Sequence, residues 1–246
     1  MDLGEHTILI TGGASGIGLA LAARFLRAGS RVIVCGRREE KLREAAAAHP
    51  GLITHRADVA TAAGRRTLCD WVMQAYPALD VLVNNAGIQR RFQLTAPTDW
   101  DDVREELAIN LEAPLHLSLM LLPQLMRQPR PAIVNITSGL SFAPLTAAPV
   151  YSATKAALHS LTLSLRHQLS HTPVSVVEVI PPAVNTDLGG AGLHTFGAPL
   201  DEFADAVFAR LGAGDVEIAY GGAAQSSRAS RAELDAIFNR MNATIH

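Results

Sequence analysis

Cysteine is nearly absent from this 246-residue chain. Cys35 and Cys69 are too few for a disulfide framework, and they read as small buried apolar side chains in a reducing compartment. Aromatic residues are sparse at 5%, and charged residues make up only 18%, with a net charge of -2. No block of like charges offers an arm for nucleic acid or a membrane surface. No apolar run approaches the ~18 residues of a membrane span; "AIVNI" and "VSVVEVI" are short and β-branched, like buried strands. The N-terminal "MDLGEHTILI" carries acids where a secretory signal would carry lysine or arginine, so the cytoplasm is the expected location. The Asn-x-Thr sequons at Asn135 and Asn242 do not read as glycosylation sites, since the first lies inside an apolar strand pattern. No linker rich in Pro, Gly or Ser divides the chain and no repeat runs through it, which points to one domain over 1–246.

What the chain does have is apolar mass, 48% of its residues, enough for a sizeable core. Strand-like and helix-like segments alternate from the start. "TILIT" precedes "GIGLALAARFLRAG", whose helix ends at Gly29, and "RVIVCG" precedes a helix from about Arg38 to Ala48. "LITHRADV", "DVLVNNAG", "PRPAIVNITS", "VSVVEVIPP" and "VEIAY" continue the series of strands. A long helical region from Asp99 to about Gln128 is expected to break near Ala113-Pro114, and later helices are expected over about 200–211 and 231–241. Solidly apolar strands between helices imply an α/β fold: one doubly wound parallel sheet of about seven strands, covered by helices on both faces. Ligands of such sheets bind beyond the carboxyl ends of the strands.

"TGGASGIG", from Thr11 to Gly18, joins the first strand to the first helix. Glycines at Gly12, Gly16 and Gly18, with Ser15 and Ile17 between them, allow the backbone to approach a pyrophosphate at a helix N-terminus. The turn alone is a weak signal; inside a β-α-β unit it points to a dinucleotide. Its spacing is not the common Gly-x-Gly-x-x-Gly fingerprint. The second strand ends "VIVCGRREEK", with Gly36 and then Arg37 and Arg38 where a dinucleotide's ribose would lie. A guanidinium can grip a 2′-phosphate through paired hydrogen bonds, which favours NADP(H) over NAD(H). The alternative makes both arginines exposed residues at a helix start, set against its dipole.

In "VYSATKAALHS", Tyr151 and Lys155 stand four residues apart and share a helix face. Most such pairs are surface coincidences. A phenol has an ordinary pKa of ~10, and a nearby ammonium favours its ionised form, so the pair could also move a proton near neutrality. Ser138 follows the fifth strand, on the ligand side of the sheet, where its hydroxyl could donate to a carbonyl oxygen. A plain capping or turn serine is the alternative, and Ser141 and Ser152 stand nearby.

Taken in order, the glycine turn, "NNAG" (Asn84 to Gly87), Asn110, Ser138 and the Tyr151/Lys155 pair resemble the short-chain dehydrogenases/reductases of the compact type, over nearly the whole chain. The last third, "IPPAVNTDLGG" through "EIAYGG", resembles a branch of that family encoded beside lipoteichoic-acid D-alanylation genes. The resemblance implies a Rossmann fold and hydride transfer between a nicotinamide and a small carbonyl or alcohol. It implies that Tyr151 is the acid/base, Lys155 its partner and a ribose ligand, Ser138 the carbonyl anchor and Asn110 the holder of a water. It implies that Asp58 and Val59 meet the adenine, that Asn85, Ala86 and Gly87 border the cofactor ribose, and that Val184 and Thr186 meet the nicotinamide half. It also implies a homodimer or homotetramer. Gly36 stands where members that prefer NAD carry Asp. Pro181-Pro182 departs from the family's Pro-Gly, which stiffens that loop and removes an N–H. Two other readings keep part of this: an NAD-dependent alcohol dehydrogenase with the same site, and a dinucleotide-sensing module without turnover.

Other constellations carry less. His167 and His171 have zinc-like spacing but no third ligand, so no metal is expected. Asp99, Asp101, Asp102, Glu105 and Glu106 suit a helix N-terminus. Leu158, Leu161, Leu165 and Leu169 read as core or subunit contact. For the substrate the candidates are Gln89 to Phe92, Leu140 to Leu145 and a loop of about 188–200. In them Phe142, Leu145, Leu193 and Phe196 are apolar, and Arg90, Arg91 and His194 are possible polar handles.

Overall fold

Successive residues of a strand face opposite sides of a sheet, and in the computed structural model, which describes residues 3–243, both sides are buried. In β1 (Thr7–Thr11), Ile8 and Ile10 point into one apolar cluster and Leu9 into the other. The same division holds for β2 (Arg31–Gly36), where Val32 and Val34 oppose Ile33. The remaining strands are β3 (Ile53–Arg56), β4 (Val81–Asn84), β5 (Ala132–Ile136), β6 (Ser175–Ile180) and β7 (Glu217–Ala219). All pairings are parallel, in the order β3-β2-β1-β4-β5-β6-β7 of one seven-stranded sheet. The doubly wound α/β arrangement expected from the sequence is present.

Helices cover both faces. On one lie α1 (Gly16–Arg27), α2 (Glu39–Ala48) and α7 (Leu200–Ala213), through Leu21, Phe25, Leu42, Phe203 and Val207. On the other lie α3 (Ala62–Ala75), α5 (Ala113–Leu125) and α6 (Pro149–Gln168), through Leu68, Val72, Leu117, Leu121 and Leu165. Leu158, Leu165 and Leu169 of the leucine stripe are buried, and Leu161 packs against the core. α1 stops where expected, with Gly29 at φ 95° just beyond its end. Three short or late elements complete the fold: α4 (Trp100–Leu107), α8 (Gly221–Ser226) and α9 (Arg231–Asn242), the last opened by a Ser230/Glu233 capping box.

The break in the long helical region differs from expectation. It is a π-helical turn over Ala108–Glu112, before Pro114, and Pro114 sits in the first turn of α5. Proline lacks the N–H that a first turn leaves free anyway, so it starts α5 and does not break it. The widened turn carries Asn110, and such turns gather at functional positions.

The sheet order reverses between β1 and β4: the chain moves outward through β2 and β3, then returns to the other side of β1. The crevice beyond the carboxyl ends at that point is where the Gly12–Gly18 turn and Asn84–Gly87 meet.

Candidate active site

At the switch point the glycine turn is tied to the end of β4. Asn85 donates from Nδ2 to the carbonyls of Thr11 at 2.9 Å and Gly12 at 3.2 Å, and Thr11 Oγ1 accepts from the backbone N–H groups of Asn85 and Ala86. The loop backbones are thus held by amide and hydroxyl side chains, as "NNAG" suggested. Gly12 has φ 64°, and a Cβ there would lie 2.8 Å from the Cα of Ala86. Gly18 has no room either, since its Cβ would meet Asn85 Nδ2 at 2.4 Å. Only glycine lets these segments pack so closely. Ser15 is the N-cap of α1 but makes no side-chain capping bond, and no acid occupies the first turn, so free N–H groups and the positive dipole end face the crevice. This cradle fits a dinucleotide's pyrophosphate.

At the end of β2, Arg38 donates to Ser15 Oγ at 3.2 Å, fastening that strand end to the glycine turn. Arg37 does not stand free: it pairs with Glu105 of α4, whose other oxygen accepts from Arg90. The two arginines hold the Glu105 carboxyl below its usual range, Arg90 contributing most. Gly36 leaves open space, with no atom within 4 Å of a Cβ built there. Asp58 caps a turn by accepting from the N–H of Ala60 at 3.0 Å, and with Val59 it lines the same crevice.

At the other end, Tyr151 and Lys155 lie on the first turns of α6, both buried, with Lys155 Nζ 5.6 Å from the centre of the phenol ring. Lys155 Nζ donates to the carbonyl of Ile136 at 2.7 Å, anchoring it to the end of β5. Ser138, just beyond β5, caps the turn that follows by accepting from the N–H of Leu140 at 3.1 Å, and its hydroxyl favours the ionised form of the Tyr151 phenol. Burial pushes the Tyr151 phenol well above its usual value; Ser138 offsets part of that, and the charge of Glu106 adds to it. Burial also lowers the Lys155 ammonium to about 8. Burial is thus the largest influence on each group, and it moves both toward their neutral forms.

Asn110 is fully buried and clasps Ile88 at two points, accepting from its N–H at 2.9 Å and donating to its carbonyl at 2.8 Å. Its second amide hydrogen goes to Thr154 Oγ1 at 3.2 Å. Asn110 Oδ1 and Lys155 Nζ flank one spot over Gly87, 3.5 and 3.7 Å from where a Cβ would sit. Both side-chain amide hydrogens of Asn110 are thus used in structure.

Beyond β6, Pro181, Pro182, Val184 and Thr186 line the crevice, with Val184 bridged to Ala198. A continuous cleft of about 1550 Å³ runs from Arg37 and Asp58, past Gly12 and Gly16, to Ser138, Tyr151 and Lys155. Gln89, Arg91, Leu140, Leu145, His194 and Phe196 line its far end as proposed. Phe142 instead packs edge-on against His159, and Leu193 is part-exposed outside the lining. No metal-binding group of three His, Cys, Asp or Glu occurs among the described residues.

Two contributors escaped the sequence. Ile237, Arg240 and Met241 of α9 line the far end, because Asn242 accepts from the N–H of Thr146 at 2.8 Å and donates to the carbonyl of Pro144 at 3.1 Å. Glu106 is not a first-turn acid: it is fully buried one turn before Asn110, accepting from the N–H of Arg90 at 3.3 Å, with Oε2 unpartnered. Burial raises its pKa to about 7. Its spacing of four from Asn110 was the available signal.

The family model of the short chain dehydrogenases matches residues 6–194. An uncharacterized oxidoreductase, DltE of Bacillus subtilis (strain 168), is 44% identical over 248 residues, covering 98% of this chain and 98% of its own, so the likeness continues through the last third. Among solved structures, a short chain dehydrogenase of Burkholderia cenocepacia J2315 in complex with NADP has a TM-score of 0.84 at 25% identity, over 98% of this chain and 99% of that one. One from Sphingobium yanoikuyae in complex with NADPH has a TM-score of 0.81 at 25% identity, over 98% of this chain and 96% of that one.

Proposed function

Since the chain belongs to the short chain dehydrogenase family, we propose that it is an NADPH-dependent carbonyl reductase, or the corresponding alcohol dehydrogenase in reverse. The observation that carries this reading is the single cleft joining the glycine cradle to Ser138, Tyr151 and Lys155. The α1 N-terminus and the Gly12–Gly18 turn hold the pyrophosphate, Arg37 and Arg38 the 2′-phosphate, Asp58 and Val59 the adenine, and Asn85, Ala86 and Gly87 the ribose. Pro181, Val184 and Thr186 border the nicotinamide.

A bound reduced nicotinamide would supply the hydride for the carbonyl carbon; the phenol of Tyr151 would give its proton to the carbonyl oxygen, which holds the displaced electron pair, so that the alcohol forms. Ser138 donates to the same oxygen and fixes its place. Lys155, buried beside the phenol, stabilises the phenolate left behind, and the Asn110 turn holds the water that returns the proton. A neutral phenol, which burial enforces here, is the form needed to donate in the reductive direction.

The two NADP(H) complexes among the similar structures support the choice of cofactor. The Arg37–Glu105 pair favours a second reading, NAD-dependent alcohol oxidation, because it engages the guanidinium needed for the 2′-phosphate. Fluorescence titration with NADPH and NADH separates the two: tighter NADPH binding supports the first, equal or tighter NADH binding the second. The loop of about 188–200 would cover the substrate, and the chain would work as one dinucleotide-binding and catalytic unit. Exposed Leu115 and Leu119 on α5 and Leu163 on α6 support a homodimer or homotetramer. Two buried free cysteines suit the cytoplasm, and among the described residues no helix is long and apolar enough to cross a membrane.

A further inference from the structure

Two arginines stand over the substrate end of the cleft without an acid to balance them. Arg91 and Arg240 both line the cleft and are exposed, and neither makes an ion pair or side-chain hydrogen bond among the described residues. Arg90, their neighbour, is by contrast engaged by Asp102 and Glu105. The acids on the lining are Asp58, Glu44, which pairs with Lys41, and Asp187 beside Thr186 in the loop after β6; none of them forms an ion pair with Arg91 or Arg240 among the described residues.

Although far apart in sequence, the segments that carry the two arginines are fastened to adjacent residues of a single loop. Phe92, next to Arg91, donates its N–H to the carbonyl of Ala147 at 3.2 Å. Asn242, two residues beyond Arg240, accepts from the N–H of Thr146 at 2.8 Å. That loop leads directly into α6 and Tyr151, so both segments are fixed to the reacting end. Leu145, Ile237 and Met241 give the same cleft an apolar stretch beside the polar Gln225 and Ser226. His194 closes the other side, only 8% exposed, with Nδ1 lacking a hydrogen-bond partner. Its imidazole is held below the usual value by burial first and then by the nearby charge of Arg91, so that charge reaches this wall as well.

We propose that the substrate is an aliphatic oxo- or hydroxy-acid. Its carbonyl or carbinol sits at Ser138 and Tyr151, its stem lies on Leu145, Ile237 and Met241, and its terminal carboxylate or phosphate is gripped by Arg91 and Arg240. Guanidinium groups bind both anions through paired charge-assisted hydrogen bonds, and the apolar wall beside them lowers the screening by water. The assignment rests on reading the site as a carbonyl reductase, but its test does not depend on turnover.

Three linear aliphatic ketones of one chain length are compared by calorimetric titration of the protein saturated with NADP⁺, which has no hydride to give them: one ends in a carboxylate, one in a phosphate monoester, one in a methyl ester. At least one anion is expected to bind about tenfold or more tighter than the ester, and the stronger arm identifies which anion the arginines take. The Arg91→Ala/Arg240→Ala protein, shown folded by thermal unfolding, loses this advantage, and Arg91→Lys keeps part of it. Equal affinity for anions and ester in the wild type overturns the proposal, as does an anion preference that survives in the double variant. Selective anion binding with no NADPH consumption would instead count against the reductase reading and leave the anion site standing.

Discussion

Tyr151 and Glu106 are two buried acids of one site, and burial favours the protonated form of both. The phenol sits beside Ser138 and the Lys155 ammonium, whereas Glu106 has one oxygen on a backbone N–H and the other unpartnered. Tyr151→Phe should lower turnover about a hundredfold or more while NADPH affinity, read by fluorescence, stays near the wild-type value. For Glu106 the folded-state pKa of about 7 lies above the ordinary 4.5. Below about pH 4.5 both folded and unfolded chains keep this proton. As pH rises from there to 7 the unfolded chain releases it first, so stability falls, and above about 7 the loss levels off. At ~1.4 kcal/mol per pKa unit, the drop attributable to this group is about 3 kcal/mol. Glu106→Gln should flatten that segment of the stability curve in denaturant melts across pH; an unchanged slope would place the titration elsewhere. The sequence alone showed five acids in one helical stretch, and only the spacing of four from Asn110 set Glu106 apart from the others. Its burial depends on α6 and the β4 exit, which approach it only in the folded chain.

At the scale of elements, the inner strands were legible because they are apolar on both sides, a pattern that a sheet covered on both faces requires. The glycine turn was legible for a similar reason: its residues answer to backbone geometry, not to distant partners. Gly12→Val, with φ 64° and the Ala86 backbone 2.8 Å from its Cβ, should prevent the turn from closing on β4. The expected result is loss of NADPH binding together with a fall in melting temperature. The π-helical turn was not legible, since no residue marks it; proline-114 lies past it and begins a helix instead. Cofactor choice sits between these cases. Gly36→Asp with Arg37→Ile should move preference toward NADH, because a carboxylate can accept from ribose hydroxyls while the phosphate loses its guanidinium. Paired titrations of the variant with NADPH and NADH check this, and an unchanged ratio would remove Arg37 from the cofactor site. Glu105→Gln, which frees Arg37 from its pair, should tighten NADPH selectively.

Across the whole molecule, the site is a product of the sheet's order. Reversal between β1 and β4 opens the crevice, β5 delivers Ser138, and α6 brings Tyr151 and Lys155 to the same edge. These parts were readable in order along the chain because each follows a strand end. The far wall was not, because α9 reaches it only through Asn242 and a loop nearly a hundred residues earlier. The exposed leucines on α5 and α6 belong to this scale too. Leu119→Glu should shift the protein to a smaller species in sedimentation, and a wild type that is already monomeric would leave those leucines without a partner surface. The most direct measurement of the central claim follows reduced-nicotinamide absorbance over a carbonyl panel, with wild type and Tyr151→Phe each saturated with NADPH. The wild type should consume NADPH with at least one carbonyl, and the variant should bind it equally well without consuming it. Equal consumption by both proteins, or tight binding by the wild type with no consumption across the panel, would contradict the assignment.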